Sequence, residues 1–270
     1  MTRGPWADRR ERFRALHAGE LFVMPNPWDI GSARLLASLG FEALATTSSG
    51  HAASLGRPDY GVRRDELLAH VQALCAAVDV PLNVDAERCF GDDPAGVADT
   101  VELIGRAGAA GCSIEDFDAA RDAIDPIEVS VARVAAAAGA ARKHGMVLTA
   151  RAENHLHGIE DLEDTITRLR AYRDAGAEVV YAPGLVDPEQ IRRLVERIQA
   201  PLNVLALRQG PSISGLAALG VRRVSTGGGL ARAAYGALVA AARELRDAGT
   251  SSYLDGAITG RELQAALQSA

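Results

Sequence analysis

The chain has 270 residues, 48% of them hydrophobic and 24% charged, enough apolar material for a packed core. Its 29 Lys and Arg against 35 Asp and Glu leave a net charge of −6, which argues against a nucleic-acid binder, whose affinity rests on basic groups neutralising phosphates. No apolar run approaches the roughly 18 residues that span a bilayer, and Cys75, Cys89 and Cys112 have no CxxC spacing, so a soluble, unexported protein of the reducing cytoplasm is expected, without a disulfide framework or thiolate zinc site.

The first 20 residues mix Asp8 and Glu11 among arginines and read as an N-terminal helix, with no apolar leader core. From Leu21 onward short apolar runs alternate with longer amphipathic stretches at an interval of roughly 30 residues, the length of one βαβ unit. The runs are Leu21 to Asn26, Ala43 to Thr47, Leu82 to Asp85, Cys112 to Glu115, Met146 to Arg151, Val179 to Ala182, Leu202 to Ala206 and Val221 to Ser225. They lack clean alternation, as parallel strands buried on both faces do. Between them apolar residues recur at helical spacing, for example Val97, Val101, Ile104 and Ala107. Gly40, Gly108, Gly145, Gly176 and Gly220 stand where a left-handed helix cap is expected.

Eight such units predict an α/β protein: a single (β/α)8 barrel over residues 1–270. A doubly wound sheet would need a Gly-rich turn after the first strand, where the chain reads Asn26-Pro27-Trp28-Asp29. After the eighth unit, residues 251–270 hold a further helical pattern, Gly260 to Leu267, which covers its own barrel or reaches a neighbouring subunit.

A barrel of this kind works at the C-terminal ends of its strands, and polar residues concentrate there. Asp85 and Glu87, two apart on a strand end, point the same way, and Glu115 arrives from the next strand. Three converging carboxylates repel unless neutralised, and the usual partner of an all-oxygen set is Mg2+ or Mn2+. The alternative is that these acids cap helices or pair with Arg88 and Arg121. Arg151 is the positive counterpart, either a bidentate clamp for a substrate carboxylate or glue for Glu153 or Glu115. Ser48-Ser49-Gly50 offers hydroxyls and N–H groups to an oxygen gaining charge, though it is also ordinary turn chemistry. Softer candidates are His51, His155 and His157, the Ser225 to Gly229 run as a phosphate turn, and Cys89, for which no base is evident.

In several segments the chain resembles the isocitrate lyase/phosphoenolpyruvate mutase superfamily. They are Asn26 to Ala33, Gly40 to Ala43 continuing through Ser49-Gly50, Gly56-Arg57-Pro58-Asp59, Asp85-Ala86-Glu87-Arg88-Cys89-Phe90-Gly91, Gly108 to Asp116 and Ala150 to Asn154. The resemblance implies an Mg2+-dependent site for 2-oxo acids or hydroxy di- and tricarboxylates, with Mn2+ as substitute. By that likeness Asp85, Glu87 and Glu115 hold the metal, directly or through water, and Asp59 supports its waters. Ser49 and Gly50 bind the 2-oxo acid oxygen, Arg151 its carboxylate, and Trp28 and Asn203 complete the substrate contacts. The resemblance also implies homodimers or homotetramers in which the C-terminal helix is exchanged between subunits.

The departures are as informative. The lyases of that superfamily carry a K-K-C-G-H loop after strand four, where this chain reads Phe117-Asp118-Ala119-Ala120-Arg121-Asp122. The mutase and phosphonopyruvate hydrolase loop, with its lysine and Asn-Ser pair, is missing too. Glu87 replaces a more usual aspartate, and Glu153 stands where many members have one. The expectation is therefore a metal-dependent lyase that breaks a C–C bond beside a 2-oxo or 2-hydroxy carboxylate, by retro-aldol cleavage or decarboxylation, on isocitrate-, methylisocitrate-, malate- or oxaloacetate-like substrates. Its rivals are P–C chemistry on a phosphonate and a catalytically silent 2-oxo-acid-binding barrel.

Overall fold

A computed structural model describes residues 6–268; the remainder of the expected terminal segments 1–20 and 251–270 lies outside the described residues. All eight expected strands form: β1 (Phe22–Met24), β2 (Leu44–Ala45), β3 (Leu82–Asp85), β4 (Gly111–Glu115), β5 (Val147–Arg151), β6 (Val179–Tyr181), β7 (Leu202–Leu205) and β8 (Arg223–Ser225). They pair in parallel in the order β1-β8-β7-β6-β5-β4-β3-β2, a nearly closed (β/α)8 barrel. Between β1 and β2 no ladder forms. Pro25 and Pro27 follow β1 and have no N–H to give, so the seam rests on the Ala45 N–H donating to the Pro25 carbonyl at 3.1 Å and Asn26 Nδ2 to the Thr46 carbonyl at 2.7 Å.

Helices return the chain to the next strand, and their starts are written in the sequence. Asp29, Asp93, Asp161, Asp187 and Ser212 each accept a backbone N–H of the first turn, meeting a donor the helix cannot satisfy itself. At the other end of the Ile127–His144 helix, Gly145 adopts φ 69°, the left-handed cap expected of it. The helices bury Leu74, Val101, Ile104, Ile166, Leu169 and Ile191 against the outward faces of the strands.

The inside of the barrel is filled from below. The helix Ala7–Leu16 places Phe13 against Phe22, Ala110, Val147 and Val179 at the strand N-termini, and the rings of Phe13 and His17 meet edge-on at 4.8 Å. A Cβ on Gly111 would lie 2.6 Å from the Phe13 ring, so only glycine lets this plug seat. At the C-terminus the helix Gly229–Asp247 buries only Ala231 and exposes Leu238, Val239 and Leu245. The helix Gly260–Gln268 then packs on Ile30–Ser38 of its own chain, where Arg34 Nη1 donates to the Leu267 carbonyl at 2.7 Å. Among the described residues no helix is long and apolar enough to cross a membrane.

Candidate active site

At the C-terminal ends of the strands opens a cavity of about 230 Å³, lined among others by Ser48, Ser49, Asp59, Asp85, Arg151 and Asn203. Arg151, the last residue of β5, is its electrostatic centre. Its Nη1 lies 2.9 Å from Asp85 Oδ1 and 3.2 Å from Glu115 Oε2, and its Nε donates to Glu153 Oε1 at 2.6 Å. Burial works against its charge, but Glu153, Glu115 and Asp85 outweigh burial and hold the guanidinium firmly protonated. The Tyr181 ring lies beneath it at 5.4 Å.

Asp85 is oriented from two more sides. Its backbone N–H donates to Thr46 Oγ1 at 2.8 Å, and its Oδ2 accepts the Ser48 N–H at 3.1 Å. After it the chain turns sharply: Glu87, Cys89 and Phe90 all take positive φ, at 49°, 60° and 56°. Buried Arg133 braces this turn by donating to the carbonyls of Arg88, Gly91 and Asp92. The turn sends Glu87 into a small neighbouring cavity with Ser48, His51 and His70. There burial, with Asp85 and Asp59 nearby, pushes its carboxyl up to about 8. Burial and Asp85 also raise Asp59, and burial raises Glu115 and Glu153.

The three expected metal ligands are not gathered into one group: among the described residues no three His, Cys, Asp or Glu side chains stand ready to coordinate an ion. Arg151 stands between Asp85 and Glu115. The chemistry of the donor set nevertheless fits a hard divalent cation. Five carboxyl groups, Asp59, Asp85, Glu87, Glu115 and Glu153, face a single guanidinium, and Glu115 Oε1 and Glu153 Oε2 are buried without a hydrogen bond. Oxygen-only sites with an excess of negative charge take Mg2+ or Mn2+ and keep part of its water.

Two expected substrate contacts stand elsewhere. The Gly50 N–H is spent on Thr47 Oγ1 at 3.3 Å within the short helix Ser48–Ser54, and Trp28 packs on Gly50 away from the cavity lining. A Cβ at position 50 would sit 2.6 Å from Thr47, 3.0 Å from Trp28 and 3.3 Å from Ala231, so this glycine serves close packing. Ser49 does line the cavity, its hydroxyl 3.2 Å from Thr47 Oγ1.

The segment after β4 is a small antiparallel hairpin, Phe117–Asp118 with Ala123–Ile124. Arg121 pairs with Asp118 and Asp125, and Arg88 with Asp125 at 2.7 Å, which fixes the hairpin to the turn after β3. Phe117 stacks on His157 at 3.6 Å and lies 5.9 Å from the Tyr60 ring. His155 contacts Thr165 Oγ1 at 3.2 Å, and His51 stacks on His70 at 3.7 Å. Cys89 is fully buried and its thiol is pushed far up by burial, which leaves it inert. Sequence reasoning passed over Tyr60 and Tyr181; Tyr60 follows Asp59, and Tyr181 is the β6 residue in register with Arg151.

The phosphoenolpyruvate phosphomutase family matches residues 13–246. The chain belongs to that family. A structure from Burkholderia cenocepacia J2315, assigned to the lyases or mutases, is 51% identical and superposes with a TM-score of 0.92, covering 96% of this chain and 95% of that one. The oxaloacetate decarboxylase of Paraburkholderia xenovorans strain LB400 is 34% identical over 74% of this chain and 69% of its own length. Phosphonopyruvate hydrolase in complex with oxalate and Mg2+ is 25% identical, with a TM-score of 0.84 over 96% of this chain and 94% of that one. The phosphomutase family fold therefore accounts for the barrel, and its enzymes are carbon–carbon lyases and mutases with hydrolases beside them.

Proposed function

We propose that this protein is a Mg2+-dependent lyase that breaks a C–C bond next to a 2-oxo or 2-hydroxy carboxylate. The observation that carries the reading is Arg151, buried at the mouth between Asp85, Glu115 and Glu153, beside a cavity that Ser48 and Ser49 also line. Asp85, Glu87 and Glu115 would hold Mg2+, or Mn2+ in its place, directly or through water, with Asp59 on the side of its waters. The ion supplies a Lewis acid beside the carboxylate and carbonyl oxygens of such a substrate. Arg151 binds the carboxylate, its planar fork already oriented by Glu153. Ser49 donates its hydroxyl to the neighbouring oxygen. The Tyr60, Phe117 and His157 rings cluster beside these groups, with Tyr60 next to Glu115.

The hairpin carries neither cysteine nor lysine, which favours cleavage or decarboxylation of a small oxaloacetate- or malate-like acid over P–C chemistry. Pyruvate and glyoxylate release is measured over oxaloacetate, isocitrate, methylisocitrate, substituted malates and phosphonopyruvate, with Mg2+ and with EDTA. A protein-free Mg2+ control corrects for spontaneous oxaloacetate decay. Metal-dependent turnover of one compound is expected, lost by at least about 100-fold in Glu115→Ala. Wild-type rates in that variant would sink the assignment.

We also propose a homodimer or homotetramer assembled through the helix Gly229–Asp247, whose Leu238, Val239 and Leu245 have no cover in the single chain. Light scattering should give a multiple of 28.3 kDa, reduced to that mass by Leu238→Glu; a wild-type monomer would refute it.

A further inference from the structure

One side chain below the mouth breaks the rule that a buried charge is paired. Arg223, the first residue of β8, is 1% exposed and turned into the barrel. Its Nε donates to Asn203 Oδ1 at 2.9 Å, its Nη2 to Thr149 Oγ1 at 2.8 Å and its Nη1 to His17 Nε2 at 3.1 Å. His17 is a neutral acceptor here. Its Nδ1 donates to the Phe13 carbonyl at 2.8 Å, and burial with Arg223 alongside draws its pKa down to about 3. No carboxylate is within ion-pair distance of Arg223 among the described residues, and burial draws the guanidinium itself down to about 9.

The surroundings suit a ligand better than a core. Three hydrogen bonds occupy three of the five guanidinium N–H groups. Arg223 lines the same cavity that opens at Arg151, together with Asn83, Ser113, Asn203 and Ser225. This level of a (β/α)8 barrel is ordinarily filled with branched aliphatic side chains. Here Asn83 Oδ1 is buried with no partner, a cost the fold does not require. The cavity thus has two buried cations at two depths, Arg151, already neutralised by acids, and Arg223, with no carboxylate in ion-pair distance among the described residues; the third arginine of its lining, Arg232, is exposed.

We propose that Arg223 is the anion-binding floor of this cavity and the residue that takes the distal carboxylate of the oxaloacetate- or malate-like substrate. The inference rests on the reading of the mouth as the site of the 2-oxo or 2-hydroxy acid head. A diacid whose head engages Arg151 carries its second negative charge down to Arg223, the buried cation of this cavity that has no carboxylate in ion-pair distance among the described residues. A monocarboxylate of equal length leaves that cation unneutralised. The neutral floor groups Asn203 and Ser225, hydrogen-bonded to each other at 2.9 Å, hold the guanidinium in place without competing for its charge.

The test compares paired ligands in Mg2+ by calorimetry: oxaloacetate with 2-oxobutyrate, and 2-oxoglutarate with 2-oxopentanoate, each pair differing by a carboxylate in place of a methyl. Oxalate, too short to leave the mouth, reports on the head site alone. Wild-type protein should prefer the diacid of at least one pair by about 10- to 100-fold, the worth of a charge-assisted contact. Arg223→Met should reduce that preference to within about threefold and leave oxalate binding unchanged. A preference that survives in Arg223→Met with oxalate intact overturns the proposal, as does a wild type that binds oxalate and shows no preference. Diacid binding that needs Arg223 while oxalate fails to bind supports the floor and refutes the head site. Absence of binding by every ligand refutes both. If the methionine variant does not fold, crystals of the wild type with 2-oxoglutarate decide. A tail carboxylate within hydrogen-bond distance of Arg223 supports the proposal, and a tail directed out of the mouth overturns it.

Discussion

Arg151 at the end of β5 and Arg223 at the start of β8 are buried in the same barrel, yet one pairs with Asp85, Glu115 and Glu153 and the other hydrogen-bonds to the neutral Asn203, Thr149 and His17. The acids around Arg151 are costly without it, because each would be a buried carboxylate with no cation. The groups around Arg223 are neutral and would lose only hydrogen bonds. The same residue type therefore has two roles: one arginine holds a charged site together, and the other waits on a charge from outside.

Replacing each by methionine, similar in length and uncharged, separates these roles. Arg151→Met should cost about 3–5 kcal/mol of stability and abolish turnover. Arg223→Met should cost about 1–3 kcal/mol, the range for buried acceptors left unsatisfied. Urea unfolding of both variants at pH 7 measures the difference. A larger loss in Arg223→Met than in Arg151→Met would reverse the comparison and make Arg223 part of the scaffold. An intact KM and kcat in Arg151→Met would remove it from the site.

The two arginines also show what the sequence carries and what it withholds. The eight strands were legible because each is a short apolar run alternating with helical stretches, five of which end in a glycine cap, signals that depend on neighbours in the chain. Arg151 was legible as well, since it ends a run and is followed by Glu153 and Asn154 at the strand end. Arg223 was hidden inside Val221-Arg222-Arg223-Val224-Ser225, where two adjacent arginines look alike. Alternation was the available signal: Ser225 faces the mouth, so Arg223, two residues earlier, shares its face, and Arg222 points the other way. The hairpin after β4 was beyond reach for a different reason. Its two strands are two residues each and owe their shape to ion pairs of Arg121 and Arg88 with Asp118 and Asp125, contacts that depend on the packed turn after β3. At Gly50 a glycine beside serines reads as an oxygen-binding turn, and the packing that its missing Cβ allows, against Thr47 and against Trp28 from a distant part of the chain, is set by the fold.

The smallest expected effect lies under Arg223 and sharpens the comparison from below. Folded His17 has a pKa near 3, against about 6.5 in the unfolded chain, so between these values the unfolded state binds the extra proton. Its contribution to stability is therefore complete above about pH 6.5 and is lost as pH falls toward 3, with a slope of up to about 1.4 kcal/mol per pH unit. His17→Gln, which keeps an acceptor within reach of Arg223, should remove about one proton from the pH dependence of unfolding between pH 6 and 4. The difference between variant and wild type isolates this group from the carboxylates that titrate in the same range. An unchanged slope would mean that His17 is charged in the folded protein. Two adjacent buried cations would then require an anion already resident at the floor of the barrel, and Arg223 would no longer be free to receive one from a substrate.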